Sequence, residues 1–164
     1  LELIDIIGAK RQHLERLANQ KGAAGEIAVV GANGHWVSRP KGKALKVLMS
    51  ALRESGILIK PSSFDAIAIP NAIQVDFRNI ASVTAGLQHM VFVEIKTANQ
   101  SRVKADFSGF FFALTENEIT ASDVLGARHR VLLYNRTTDS RLLTSVPEII
   151  ARARSTTWQV SVQL

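Results

Sequence analysis

The sequence predicts an α/β fold, a central mixed sheet flanked by helices, and three features of the residue pattern carry that expectation. The hydrophobic period shortens from 3.6 to 2 near residue 57, so helices precede a strand-forming region. Two capping-box spacings, Thr115 with Glu118 and Ser145 with Glu148, then set helices between the later apolar runs. The chain of 164 residues is 46% hydrophobic, enough for one substantial core, and no repeat or low-complexity tract divides it. A single domain over 1–164 is expected, helical to about residue 56 and carrying its core from about residue 57 onward.

The elements follow in order. Leu3, Ile7, Leu14 and Leu17 recur at helical spacing, predicting an amphipathic helix over residues 3–19. The next stretch holds Gly22, Gly25, Gly31 and Gly34 and is read as irregular, apart from a short element around residues 27–30. Ala44, Leu45, Leu48, Ala51 and Leu52 mark a second helix, closed by Gly56. Strands are expected over residues 57–59, 64–69, 73–77, 90–97 and 107–114, bounded by Pro61, Pro70-Asn71 and the polar stretch 99–104. The segment 73–88 is longer than a tight hairpin needs, which predicts an additional strand or a loop facing nucleic acid. A helix over residues 116–125 ends at Gly126, a strand follows over 129–136, a short helix runs through Arg152, and a last strand closes at 157–164.

Composition excludes several chemistries. Without cysteine there is no disulfide framework, no thiolate zinc site and no cysteine nucleophile, so any metal must be held by oxygen or imidazole. His13, His35, His89 and His129 stand alone, Gly31-Ala32-Asn33-Gly34 lacks the lysine and length of a phosphate-binding loop, and no serine sits in a nucleophile motif. No apolar run is long enough to span a bilayer and no leader pattern opens the chain, so a soluble, cytoplasmic protein with no membrane partner is expected. Because residue 1 is leucine, the expectation is a trimmed chain or a domain excised from a longer protein. Lysine and arginine outnumber acids 20 to 14, a charge of +6 that favours a polyanionic partner.

The most informative stretch is Met90-Val91-Phe92-Val93-Glu94-Ile95-Lys96-Thr97. Side chains alternate along a strand, so Glu94 and Lys96 project to one side while Val91, Val93 and Ile95 bury themselves on the other. A hard cation takes carboxylate oxygens, and a neighbouring ammonium orients water or neutralises charge growing on a phosphate. A second carboxylate is available at Asp65, which opens the apolar run Ala66-Ile67-Ala68-Ile69. Asp76, between Val75 and Phe77, is its rival, and Glu26 is a candidate additional acid. Arg39, Lys41, Lys43 and Lys46 form one basic cluster and Arg102 with Lys104 another, both suited to phosphate contacts.

An acid opening one strand, followed by Glu-x-Lys on a hydrophobic strand, resembles the core of the PD-(D/E)XK nucleases. The likeness extends through Phe110 to Leu114, Thr115-Glu116-Asn117-Glu118, Ala121 and Arg130 to Tyr134, a pattern similar to the DUF3883 (NO VEIN C-terminal-like) domain. It covers residues 64–136, and Phe64 stands where the family has proline. The resemblance implies a restriction endonuclease-like α/β sandwich in which Asp65, Glu94 and the backbone carbonyl of Ile95 bind magnesium, with manganese as an alternative, while Lys96 assists the water. It further implies a DNA endonuclease of a restriction or defence protein, acting as a homodimer or beside a second catalytic copy to cut both strands. The alternative is a module of the same fold that binds DNA or protein without hydrolysis.

Overall fold

The computed structural model describes residues 34–157 and 162–163. The expected helix over residues 3–19, the element near 27–30, Glu26 and His13 lie outside the described residues, as does most of the expected closing strand. Among the described residues the order is β1 (Gly34–Ser38), α1 (Gly42–Glu54), β2 (Ala66–Pro70), α2 (Ile80–Gly86), β3 (Val91–Ala98), α3 (Glu116–Leu125), β4 (His129–Asn135), β5 (Ser140–Thr144) and α4 (Val146–Arg152). Short 3-10 turns stand at Pro61–Ser63, Leu87–His89 and Gly126–Arg128.

The fold is α/β. Its five strands make one open mixed sheet in the order β1-β2-β3-β4-β5. Neighbours are antiparallel except β3 and β4, which run parallel, the crossover between them carrying α3. The helices begin where side chains satisfy orphan amides. Asn79 accepts from the N–H groups of Ala81 and Ser82 to open α2, and Thr115 and Glu118 form a reciprocal capping box at α3. Ser145 accepts from the Glu148 N–H at α4, where Pro147 fits the first turn.

Alternation assigns the faces of the sheet. Ile67 and Ile69 of β2 and Phe92 of β3 pack with Leu48, Ala51 and Leu52 of α1, Val83 of α2, and Ala121 and Leu125 of α3. Phe64 meets Phe92 edge-on at 5.0 Å, sealing the point where the chain enters β2. On the same face, Val131 and Leu133 of β4 pack with Ile119 of α3 and with Val146 and Ile150 of α4. The opposite face gathers Ala66, Ala68, Val91 and Val93, with Ile95, Leu132 and Leu143 against them.

Three expected strands are absent. Residues 57–59, 73–77 and 107–114 are loop or turn, and the segment 73–88 instead contains a turn and α2. Their alternation is genuine but serves packing: Ile73, Val75 and Phe77 plug the first cluster, and Phe107, Phe110 and Phe112 the second. Alternate burial thus occurs without ladder partners. Conversely, β1 forms in the stretch read as irregular, and β5 follows β4 through the turn at Asp139, whose φ is 52°.

Gly86 closes α2 beneath the 73–77 loop, and a Cβ there would lie 2.7 Å from Cγ2 of Val75. Val75 is β-branched and stiff, so relief requires its backbone to move. Gly86→Ala is therefore expected to destabilise by about 1–3 kcal/mol, against the usual helix preference for alanine. The measurement is a urea titration, with the midpoint falling and the m-value unchanged.

Candidate functional site

The site lies where β2 and β3 part. The last paired residues of the two strands are Ala66 and Val93, and Asp65 stands just before them, its N–H donating to the Val93 carbonyl at 2.8 Å. From there its carboxylate lies close enough to act on that of Glu94, so two acids come near each other at the end of the ladder. The amide of Ile95 points to the side where β2 has already ended, and Oδ2 of Asp65 accepts from it at 3.0 Å. In an extended strand a residue's N–H and C=O point the same way, which directs the Ile95 carbonyl to that same edge.

Lys96 follows Glu94 on the same face. Its Nζ stands 3.1 Å from Oε1 of Glu94 and 2.7 Å from Oε1 of Glu118. Glu118 is 2% exposed, and its other oxygen accepts the Thr115 N–H at 3.0 Å. One buried carboxylate therefore closes the first turn of α3 and anchors the lysine of β3. Sequence reading assigned Glu118 only to the capping box. The available signal was that a helix returning between two parallel strands must lay its first turn across the strand it leaves.

The segment carrying Asp65 is held by its carbonyls. Nη1 of Arg39 donates to the carbonyl oxygens of Pro61 and Phe64 at 2.8 and 2.9 Å, and the Arg39 N–H donates to that of Asp65 at 2.7 Å. Arg39, expected at a phosphate, is bonded within the chain to the segment that carries Asp65, because a turn buried against the helices must find donors for its carbonyls. His129 is fully buried and contacts the Ser63 carbonyl through Nε2 at 2.9 Å, with Nδ1 lacking a partner among the described residues. A carbonyl oxygen only accepts, so Nε2 is the donor, and burial holds the ring's pKa below the ordinary histidine value.

Charge at this edge is unbalanced: Glu94 and Glu118 hold the Lys96 ammonium, and Asp65 adds a third carboxylate that acts on Glu94. Burial pushes the pKa of Glu94 up to about 7, Glu118 and Asp65 push in the same direction, and Lys96 only partly opposes them. Burial alone would lower the pKa of Lys96, but Glu118 and then Glu94 more than offset it, so it is raised and the lysine stays charged. This is the environment a divalent cation would relieve, and the oxygen-only donor set suits a hard ion. Among the described residues no three His, Asp or Glu side chains converge to hold a metal unaided. Asp65, Glu94 and the Ile95 carbonyl would leave further positions to water and substrate, as magnesium favours.

The rival acid lies elsewhere. Asp76 is exposed in the turn before α2, where its Oδ1 accepts from the Arg78 N–H, and it is not among the groups that act on Glu94. Lys41, Lys43 and Lys46 are exposed around the start of α1, two to seven residues beyond the Arg39 amide that bonds to Asp65. Arg102 and Lys104 are exposed in the loop that leaves β3, Arg102 donating through Nε to Gln100. Basic side chains thus enter the chain on both flanks of an acidic centre. Comparison with protein-family models, with curated proteins and with solved structures finds no match for this chain.

A raised carboxylate pKa makes stability pH-dependent. The folded chain binds the Glu94 proton more tightly than the unfolded one, so this group's contribution is fully present below about 4.5 and is lost as the pH rises through about 7. Glu94→Gln removes the charge and is expected to raise the melting temperature at pH 8 by several degrees, at about 2–4 °C per kcal/mol for a chain of this size. The gain should shrink towards zero by pH 4. Scanning calorimetry of both proteins across that range checks the sign.

Proposed function

We propose that this domain is a metal-dependent endodeoxyribonuclease with a restriction endonuclease-like fold. The observation that carries the reading is the Asp65 carboxylate at the parting of β2 and β3, 3.0 Å from the Ile95 amide and acting on Glu94, with the Lys96 ammonium 3.1 Å from Glu94. Phosphodiester hydrolysis needs a water delivered in line, a place for negative charge growing on the phosphate, and a proton acceptor. Asp65, Glu94 and the Ile95 carbonyl would hold magnesium or manganese, which when bound acidifies water and polarises the phosphate oxygens. Lys96 stays protonated between two carboxylates and supplies a point charge to the scissile phosphate or its water. Glu118 is a positioning residue that fixes the ammonium from the helix side.

The basic flanks support the same reading. Lys41, Lys43, Arg102 and Lys104 would take the phosphates on either side of the scissile bond, supplying affinity without sequence information. One such site cuts one strand, so a second copy of the domain is proposed for double-strand cleavage within a restriction or defence protein.

The test is single-turnover cleavage of supercoiled plasmid with magnesium, paired with a gel-shift affinity measured without it. Lys96→Ala is expected to slow cleavage by about a hundredfold or more, the scale of removing one electrostatic stabiliser, while binding changes little. Glu118→Gln should lower cleavage less, with the same unchanged affinity. Wild-type cleavage by folded Lys96→Ala would reduce the Glu94 and Lys96 pair to a structural ion pair and remove the nuclease assignment. Magnesium should raise the melting temperature of the wild type but not of Asp65→Asn or Glu94→Gln, since an ion that binds only the folded chain stabilises it.

A further inference from the structure

The loop between β3 and α3 begins three residues beyond Lys96 and ends at Thr115, three residues before Glu118, so both its stems are attached to the site. Within it Phe111 is 89% exposed, although its neighbours Phe110 and Phe112 pack into the second apolar cluster with ring centroids 4.9 Å apart. Phe107 is buried beneath them, its ring 6.0 Å from that of Phe110.

The loop is fastened along its length. The Phe107 N–H donates to the Lys104 carbonyl at 2.8 Å, Asp106 accepts from the N–H and hydroxyl of Ser108, each at 2.9 Å, and Arg152 of α4 donates to the Asp106 carbonyl at 2.7 Å. The side-chain amide of Asn135 at the end of β4 donates to the Gln100 carbonyl at 2.8 Å. Scattered exposed apolar side chains are ordinary on protein surfaces. Phe111 differs in being a large ring held outward by two packed neighbours, on a loop whose exposed cations are Arg102 and Lys104.

An exposed aromatic ring with cations on the same loop is the combination that binds unpaired nucleotides, the ring stacking on a base and the cations meeting its phosphates. A paired base within a duplex offers no free face to such a ring. We propose that Phe111 stacks on an unpaired base, so that the site acts on nucleic acid with single-stranded character, at an end, a flap or a bubble. This rests on the nuclease reading of Asp65, Glu94 and Lys96 and narrows its substrate.

The experiment measures fluorescence anisotropy of a labelled 20-nucleotide oligo(dT) and of a 20-base-pair duplex, without metal, against the full chain and its Phe111→Ala, Phe111→Leu and Phe111→Tyr variants. Phe111→Ala is expected to weaken binding of the single strand by about tenfold or more and that of the duplex less than about twofold, the stacking scale for one base. Phe111→Tyr should retain the affinity and Phe111→Leu should not, since only the first keeps an aromatic face. Unchanged single-strand affinity in Phe111→Ala, equal loss on both substrates, or full retention by Phe111→Leu would overturn the proposal. So would a sedimentation result in which Phe111→Ala merely dissolves a dimer at unchanged single-strand affinity.

Magnesium-dependent cleavage of the same two substrates by the wild type separates this inference from the reading beneath it. Binding that depends on the Phe111 ring, without cleavage of either substrate, retains the stacking and removes the nuclease. Cleavage at the same rate by Phe111→Ala on single strand and duplex alike retains the nuclease and removes the stacking.

Discussion

The contact between Lys96 and Glu118 joins the two parts of the fold that the site needs. It spans 2.7 Å from β3 to α3, and both groups are largely removed from water. An isolated buried ion pair is weak support for stability, because desolvation offsets the attraction. Here the carboxylate has a second partner in the Thr115 amide, so its two oxygens serve the helix end and the strand separately. The consequence is geometric. The start of α3 cannot shift along β3 without losing either its own cap or the lysine, and the lysine in turn is held beside Glu94. Asp65 is secured from the other direction, by Arg39 and His129 acting on the carbonyls of residues 61–65. Helix, strand and turn therefore meet with their charged groups already placed.

The alternation of residues 90–97 was sufficient to read β3 and its two faces, since a central strand with one charged end leaves little freedom in pattern. Asp65 was readable for a related reason: an acid at the mouth of an apolar strand has no use in a core. Asp76 stayed open as its rival, because Val75-Asp76-Phe77 alternates as a strand would. Its apolar residues do go inward, yet the segment has no neighbour to pair with. Alternation reports which side of a segment is buried, and pairing depends on what the rest of the chain brings alongside. The same distinction accounts for residues 107–114, where three phenylalanines fill a cluster from a loop.

Strands β1 and β5 were missed for the opposite reason. Each lies at a sheet edge and shows weak alternation, and each gains its conformation from the ladder beside it. Trp36 is 38% exposed on β1, and Leu142 and Leu143 of β5 serve opposite faces, so neither segment presents an apolar stripe. Glu118 was visible in the sequence but already explained by its spacing from Thr115. A capping box accounts for one oxygen of its glutamate, and the second remained open until the fold laid the helix across β3. Arg39 was assigned to phosphate from its basic neighbours, when its guanidinium is used within the chain.

Three carboxylates against one ammonium is a costly arrangement for a structure with no further purpose. A salt bridge serving stability alone would balance its charges, and replacing Glu94 with an uncharged residue would relieve the strain recorded in its raised pKa. Perturbed carboxylates gather where chemistry requires them, although structural networks also perturb them. What separates the two cases is where the imbalance sits. Here it lies at the opening of two strands, between basic segments that follow Arg39 on one side and Lys96 on the other. A core network would be closed off by packing at such a point. This one keeps an excess of acid between basic segments of the chain, the charge order that the proposed reading would use for a polyanion crossing a bound cation.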